Sequence, residues 1–170
     1  VGHTIRSEQA DTVINLVAIP SINPCEEDPD TAFSLHVTAP LRMTKTCADV
    51  GCVFIQASSH AVFDGTKVDP YTEEDAPNPL NVYGASKFAS ELLTQNLCPR
   101  HYVVRFATMY GRRRNAAVGF VDKMVELMRA GKSLSVADDR IDSPTNALDV
   151  GRTLIDMLQN DRPYGVYHVV

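Results

Sequence analysis

Segments with the composition of buried strands alternate with segments of helical spacing along the whole chain. Each strand-like run is short, apolar and rich in β-branched residues, which favours a parallel strand covered on both sides. The runs cover residues 12–18, 52–57, 101–107, 133–137 and 165–170. This alternation predicts an α/β fold, a mostly parallel sheet with helices on both faces, whose chemistry lies at the carboxyl ends of the strands.

Four longer segments carry apolar side chains at helical intervals and stop at residues that end helices. They cover residues 31–50, 81–98, 118–130 and 145–159. The first closes at Gly51. Pro40, whose nitrogen cannot donate a hydrogen bond, should kink this helix or begin its second part. Residues 21–30 and 63–79 are rich in turn-forming residues, so we predict irregular turns and loops there.

Composition excludes several classes of protein. The 170 residues suit one domain, and 44% of them are hydrophobic, which is enough to bury a core. The net charge of −5 offers no basic surface to nucleic acid or to an anionic membrane. There is neither a run of about 18 apolar residues nor a signal-peptide pattern, so we expect a cytoplasmic protein. The four cysteines and five histidines lack metal-ligand spacing, so we expect free buried thiols and no metal.

The most specific chemical signal is the segment from Tyr83 to Lys87, which reads Tyr-Gly-Ala-Ser-Lys. These two residues are four apart and would share one face of the predicted helix. A lysine so placed can lower the pKa of a neighbouring phenol by its charge, and such a phenol can transfer a proton near neutral pH. Ser58 and Ser59 follow the second predicted strand, so a hydroxyl, a phenol and an ammonium should meet at one rim of the sheet.

The second signal is a motif that the sequence does not contain. None of the nine glycines forms a G-x-G-x-x-G loop. Such a loop lets the backbone approach the pyrophosphate of a dinucleotide at a helix N-terminus. Residues suited to hydride-transfer chemistry therefore occur here without the usual cofactor cradle.

Together these motifs resemble the extended short-chain dehydrogenases/reductases, and within them the dTDP-4-dehydrorhamnose reductase group. The resemblance follows the chain in order through residues 62–66, 70–75 and 77–87, Arg105, Tyr110-Gly111, Asp138-Asp139, residues 143–145 and Tyr167-His168. It implies a Rossmann-like fold and only the central section of the family, without its first strand and glycine-rich loop. Residues 1–170 would form a partial NAD(P)-binding domain, in which residues 133–170 lead into the substrate-binding part.

The resemblance implies NAD(P)-dependent reduction of a nucleotide-activated 4-keto sugar, with NADP or NAD as cofactor. Tyr83 would be the general acid at the ketone, Lys87 would lower its pKa and hydrogen-bond the nicotinamide ribose, and Ser59 would position the substrate oxygen. Besides Tyr83 and Lys87, the expected cofactor contacts are strand-end residues: Ala18, Ala57, Ser58, Phe106 and Ala107. Besides Ser59, the expected substrate contacts are His60, Thr108, Arg140 and Ser143. The nucleotide sugar is the expected partner, a homodimer is one expected assembly, and neither nucleic acid nor a membrane is expected.

Several positions depart from the pattern of the group. Its members usually read Ser-Thr-Asp-Tyr where this chain has Ser58-Ser59-His60-Ala61. Thr108 replaces an expected aromatic residue, and His36 replaces an asparagine on the helix behind the site. These changes affect the expected identity of the sugar substrate more than the expected chemistry with a dinucleotide cofactor. They leave open a sugar-nucleotide epimerase or dehydratase, a non-catalytic regulatory subunit such as methionine adenosyltransferase beta, and a fragment without activity.

We predict that the 170-residue chain by itself binds NADH and NADPH weakly or not at all. Without a glycine-rich loop it has no pyrophosphate cradle, and the expected contacts from Tyr83, Lys87 and the strand ends reach only the nicotinamide half. Calorimetric titration of the purified chain with each dinucleotide measures this. Dissociation constants in the low micromolar range would contradict the prediction.

Overall fold

The computed structural model describes residues 1–111, 119–136 and 141–170. Within them, helices and strands alternate in chain order. The helices are α1 (Gly2–Ser7), α2 (Ile22–Glu27), α3 (Pro29–Phe33), α4 (Ala39–Val50), α5 (Val82–Leu97), α6 (Phe120–Arg129) and α7 (Ala147–Gln159). The strands are β1 (Thr12–Asn15), β2 (Val53–Ser59), β3 (His101–Phe106), β4 (Met109–Tyr110), β5 (Thr145–Asn146) and β6 (Gly165–Val169).

Four of these strands form one sheet in the order β1, β2, β3, β6. Strand β2 is parallel both to β1 and to β3. Helices α4 and α5 pack on β2, and α5 also contacts β3. The prediction of a Rossmann-like α/β fold with a mostly parallel sheet is confirmed.

The register between β2 and β3 decides which side chains stand together at the carboxyl end of the sheet. Ser58 lies opposite Arg105, and Ser59 lies opposite Phe106. All four residues are buried. Because parallel strands present their carboxyl ends at the same edge, polar groups of both strands are gathered there.

One continuous helical path comprises α3, a π-helical turn (Ser34–Thr38) and α4. Asp28 caps its start by accepting a hydrogen bond from the backbone amide three residues later. The π-helical turn ends two residues before Pro40, whose nitrogen has no hydrogen to donate to the preceding turn. Pro40 lies in the first turn of α4 and so begins the second part of the predicted helix, which is one of the two predicted outcomes. The widened turn before it contains the buried His36.

A hydrophobic cluster lies between α1, α4 and the sheet. Its buried members are Ile5, Met43, Cys47, Cys52, Phe54 and Cys98. All four cysteines of the chain are free and buried, as the sequence predicted. Burial raises the pKa of the Cys47 thiol, and the neighbouring Cys52 and Cys98 add to the rise.

The chain divides into two compact units. The first comprises Val1–Phe106 and Pro163–His168. The second comprises Ala107–Arg162 and Val169–Val170. Within the second unit, β4 pairs in parallel with β5, and α7 contacts β5.

Helix α6, in the second unit, is amphipathic in sequence but buries none of its side chains. Phe120 and Met128 on this helix are 64% and 65% exposed. No helix in the described ranges combines the length and the apolar character needed to cross a membrane.

Four local predictions were wrong. Strand β1, predicted over residues 12–18, ends at Asn15, because Leu16 and Val17 are exposed and are not covered by a helix. Residues 21–30, predicted as turns, contain α2 and the start of α3, because Asp and Pro also begin helices. Residues 133–136 form no strand, since their apolar side chains are not covered by a core; Ala137 lies outside the described residues. Helix α7 begins two residues later than predicted, because Asn146 caps it by accepting a 2.9 Å hydrogen bond from the Leu148 amide.

The close contact at Gly84 gives a test of the packing of α5. A Cβ atom on Gly84 would lie 2.1 Å from the carbonyl oxygen of Ala61. We predict that Gly84→Ala lowers the free energy of unfolding by about 1–3 kcal/mol or more through overpacking. Gly151 in α7 has open space at the same position. The control Gly151→Ala should therefore be neutral or stabilising by up to about 1 kcal/mol. Urea unfolding measures both, and equal midpoints for the two variants would argue against this packing.

Candidate functional site

Ser59 and Tyr83 meet where β2 ends. Ser59 is the last residue of β2, and Tyr83 lies in the first turn of α5. The side chains of Ser59 and Tyr83 lie close enough to interact, and a hydrogen bond between them lowers the pKa of the phenol. The Ser59 hydroxyl oxygen also accepts a 3.2 Å hydrogen bond from the Ala61 amide. A hydroxyl has one hydrogen and two acceptor sites, so both bonds form together. The structure thus joins two of the three predicted catalytic residues directly.

The pKa of Tyr83 is raised, mainly because the phenol is buried. The hydrogen bond with Ser59 lowers the pKa of Tyr83 but does not outweigh burial, and Cys25 adds to the rise. The expected lowering of this pKa by Lys87 is therefore not found. The physical reason is that the phenolate loses its hydration on burial, and this raises the pKa by more than the neighbouring groups lower it. A raised pKa keeps the phenol protonated at neutral pH, which is the form that donates a proton.

Lys87 is almost fully buried, with 2% of the residue exposed. Its Nζ donates a short hydrogen bond to the backbone carbonyl of Ala57 in β2. Burial lowers the pKa of Lys87 to about 8, and the negative charge of Glu91 opposes that shift. The ammonium carries three N–H donors, so it can bind further acceptors besides this carbonyl.

His36 connects the exit of β1 to the helix that carries Tyr83. Its Nε2 accepts a 2.9 Å hydrogen bond from the Ile19 amide. A backbone amide only donates, so Nδ1 carries the ring hydrogen and donates to the Ser86 hydroxyl at 2.8 Å. Ser86 in turn donates to the carbonyl of Tyr83 at 2.9 Å. Burial lowers the pKa of His36 to about 4, and the charge of Lys87 contributes to the lowering.

A buried ion pair lies one helical turn beyond Lys87. Glu91 is fully buried and accepts from Arg105, with 2.7 Å between Oε2 and Nη2 and 3.0 Å between Oε1 and Nε. The Ser58 hydroxyl donates a short hydrogen bond to the same Oε1. The Arg105 guanidinium also lies over the Phe63 ring, 5.0 Å from its centroid. One carboxylate therefore binds both β2 and β3 to α5.

The same arginine extends the network to β6 and to the loop after β2. Its Nη1 lies 3.3 Å from Nε2 of His168. The His168 amide donates to the Glu73 carboxylate at 2.8 Å. In the loop, Phe63 stacks on Tyr71 with ring centroids 4.3 Å apart. Several motif residues that carry the family resemblance thus hold this loop against the sheet.

The residues predicted to contact the cofactor fall into both units. Ala18 is half-buried just after β1. Ala57 and Ser58 lie at the end of β2, and Phe106 is buried at the end of β3. These four belong to the first unit, whereas Ala107 belongs to the second.

The residues predicted to contact the substrate are also divided between the two units. His60 begins the 3₁₀ turn after β2, and its buried Nδ1 has no hydrogen-bond partner among the residues that the structure describes. Thr108 and Ser143 belong to the second unit. There the Thr108 hydroxyl donates a short hydrogen bond to the Asp142 carboxylate, which also accepts from the Ser143 amide at 2.9 Å. Arg140 and the Asp138-Asp139 motif lie outside the described residues.

The whole chain, residues 1–170, matches the protein family described as the RmlD substrate binding domain. The chain belongs to this family. It is 32% identical over 174 residues to the dTDP-4-dehydrorhamnose reductase of Salmonella typhimurium, which covers 100% of this chain and 57% of that protein. It is 29% identical to the Bacillus subtilis spore coat polysaccharide biosynthesis protein SpsK, over 99% of this chain and 58% of that protein.

Solved structures of members with the same fold agree with this assignment. A dTDP-4-dehydrorhamnose reductase from Clostridium acetobutylicum has a TM-score of 0.91 at 30% identity, covering 99% of this chain and 59% of that one. The Bacillus anthracis enzyme of the same name, in complex with NADP, has a TM-score of 0.90 at 28% identity with the same coverage. The resemblance predicted from the motifs is confirmed. This member of the RmlD substrate binding domain family spans somewhat more than half the length of those relatives.

Sequence reasoning missed two residues of the site. Glu91 was not singled out, although it follows Lys87 by four residues on the same predicted helix, a spacing that brings side chains together. Ser86 was read only as part of the motif around Tyr83, although its hydroxyl links His36 to the backbone of that tyrosine. Arg105 belongs to the family pattern, but the sequence does not indicate that Glu91 is its buried partner.

The neutral state of His36 predicts a loss of stability in acid. Its pKa of about 4 in the folded protein lies below the usual 6.5. The unfolded chain therefore binds more protons between these values, and stability falls as the pH drops through this window. The full contribution is about 3 kcal/mol, present above pH 6.5. Urea unfolding from pH 7.5 downwards, with His36→Gln as the non-titrating control, measures it. The stability advantage of the parent chain over the variant should shrink towards acid, and a constant difference would contradict the prediction.

Proposed function

We propose that this chain is the catalytic part of an NAD(P)-dependent reductase that acts on a nucleotide-activated 4-keto sugar, of the dTDP-4-dehydrorhamnose reductase type. The observation that carries the proposal is the hydrogen bond between Ser59 and Tyr83 at the end of β2, with Lys87 one turn further along α5. Relatives named as dTDP-4-dehydrorhamnose reductases align with the whole chain, which supports the same reaction class.

The buried lysine fits a bound nicotinamide cofactor. NAD(P)H supplies a hydride when it is bound. In this proposal the Lys87 ammonium, which keeps two N–H donors besides the one given to Ala57, holds the hydroxyls of the nicotinamide ribose. Ala18, three residues after β1, and Ala57, near the end of β2, carry small, half-buried side chains, which suits the approach of a flat ring. Ser58, Phe106 and Ala107 complete the proposed cofactor contacts.

Tyr83 gives its phenolic proton to the ketone oxygen of the sugar. Burial raises the pKa of the phenol, so the proton is present at neutral pH. The hydrogen bond with Ser59 favours the phenolate that remains after transfer. When the sugar is bound, the Ser59 hydroxyl, which lies beside the phenol, turns its single hydrogen to the ketone oxygen and so orients the group that accepts the proton.

For the sugar nucleotide we propose contacts from His60, Thr108, Arg140 and Ser143. The buried and unpartnered Nδ1 of His60 is the described group that most clearly offers a polar contact to a ligand. His60 stands where the reductase group usually has an acidic residue. That replacement favours, as a second candidate function, an epimerase or dehydratase of the same superfamily, which would use the same tyrosine on another nucleotide sugar.

We predict that Tyr83→Phe in the full-length protein lowers kcat for reduction of a dTDP-4-keto sugar by about 10²- to 10⁴-fold, because the general acid is removed. NADPH binding should change little. The rate is followed by the loss of NADPH absorbance, and binding is measured separately by calorimetry.

The matched control for this variant is Tyr164→Phe, which removes a half-exposed phenol that bonds Arg100. Its rate should stay close to that of the parent protein. Equal rates for Tyr83→Phe and the parent would exclude Tyr83 as the acid. A parent protein that binds NADPH without reducing the keto sugar would instead favour the epimerase, dehydratase or regulatory alternatives.

A further inference from the structure

We propose that Glu91 is a positioning residue for this reaction, whose buried carboxylate keeps the Lys87 side chain charged and holds the end of β2 against α5. The inference rests on the proposed function, in which Lys87 works as an ammonium. Glu91 itself is not placed in contact with substrate or cofactor.

The argument begins with burial. Lys87 is 2% exposed, Arg105 is 4% exposed, and Glu91 is not exposed at all. A buried ammonium without a nearby anion is so poorly solvated that it tends to lose its proton. Two cations and one carboxylate therefore share a small volume shielded from water, and the carboxylate is the group that makes this arrangement tolerable.

The carboxylate acts on Lys87 through its charge. In the described contacts, Nζ of Lys87 bonds the Ala57 carbonyl, while the oxygens of Glu91 bond Arg105 and Ser58. Residues four apart on a helix lie on the same face, so the two charges stay one turn apart. Away from water, opposite charges at that separation interact more strongly than they would at the surface.

The other groups around Lys87 do not supply a negative charge. His36 comes from the π-helical turn and is neutral at neutral pH. Tyr83 shares the helix with Lys87 and is protonated. Arg105 comes from β3 and is itself a cation. Among the described groups, the negative charge that acts on Lys87 is that of Glu91.

The same carboxylate also fixes the strand that carries Ser59. Its Oε1 accepts from Ser58, the residue directly before Ser59, and Lys87 bonds Ala57, the residue before that. Two side chains of α5 thus hold the two residues of β2 that directly precede Ser59. A shift of Glu91 would change both the charge of the lysine and the position of the serine.

Titration of Lys87 by NMR of the labelled side chain tests this inference without any measurement of activity. Lys87→Met identifies the signal. We expect Glu91→Gln to lower the pKa of Lys87 by about one pH unit or more. The control Arg105→Gln removes the cation and leaves the carboxylate, so the pKa should rise instead. Loosening of the fold alone would hydrate the lysine and raise its pKa in both variants.

Should Glu91→Gln fail to fold, the same comparison is made between Arg105→Gln and the double variant Glu91→Gln with Arg105→Gln, in which both members of the buried ion pair are removed together and Arg105 is not left as an unpaired cation. A lower pKa of Lys87 in the protein without the carboxylate supports the proposal, and an equal or higher pKa overturns it. In the active protein, the alkaline limb of the kcat profile should move to lower pH by the same amount. If Tyr83→Phe retained full activity, the proposed function would fail, but the titration would still decide the role of Glu91 in keeping Lys87 charged.

Discussion

The parallel pairing of β2 with β3 is the constraint on which the site depends. Its register sets Ser58 beside Arg105, so a single carboxylate from α5 reaches both strands. A slip of one residue would turn every side chain of the strand to the opposite face. Ser59 would then leave Tyr83, and Ser58 would no longer lie beside Arg105 and Glu91. Backbone pairing therefore holds the side chains of the site in place. The buried ion pair between Glu91 and Arg105 forms in this register and stabilises it.

Burial shapes the protonation of the site more than pairwise charge does. Lost hydration raises the pKa of Tyr83 and lowers those of His36 and Lys87. Each shift favours the neutral form, as expected for groups withdrawn from water. The result is a phenol that holds its proton, an imidazole that works as a fixed hydrogen-bonding bridge, and an ammonium close to its point of deprotonation. A site of this kind is sensitive to any change that admits water.

Sequence patterns predicted the fold class, the long helices and the meeting of Ser59 with Tyr83, because each follows from local periodicity combined with the rule that parallel strands end at one edge. They did not predict the lowered pKa of Lys87 or the raised pKa of Tyr83. Those depend on how deeply each side chain is buried, which is decided by packing between distant segments. The partnership of Glu91 with Arg105 was missed for the same reason, since it joins a helix to a strand and leaves no periodic signal.

The buried thiols of this chain can report local opening of the structure around them. A cysteine reacts only as a thiolate and only when a reagent reaches it, so the labelling rate of a buried cysteine follows the opening of its surroundings. Cys25 lies in α2, which packs on α5 beside Tyr83. Cys47 and Cys98 lie in the hydrophobic cluster under α4. The alkylation rate of Cys25 therefore reports how often the region around the site opens. The alkylation rates of Cys47 and Cys98 report how often the hydrophobic cluster becomes exposed.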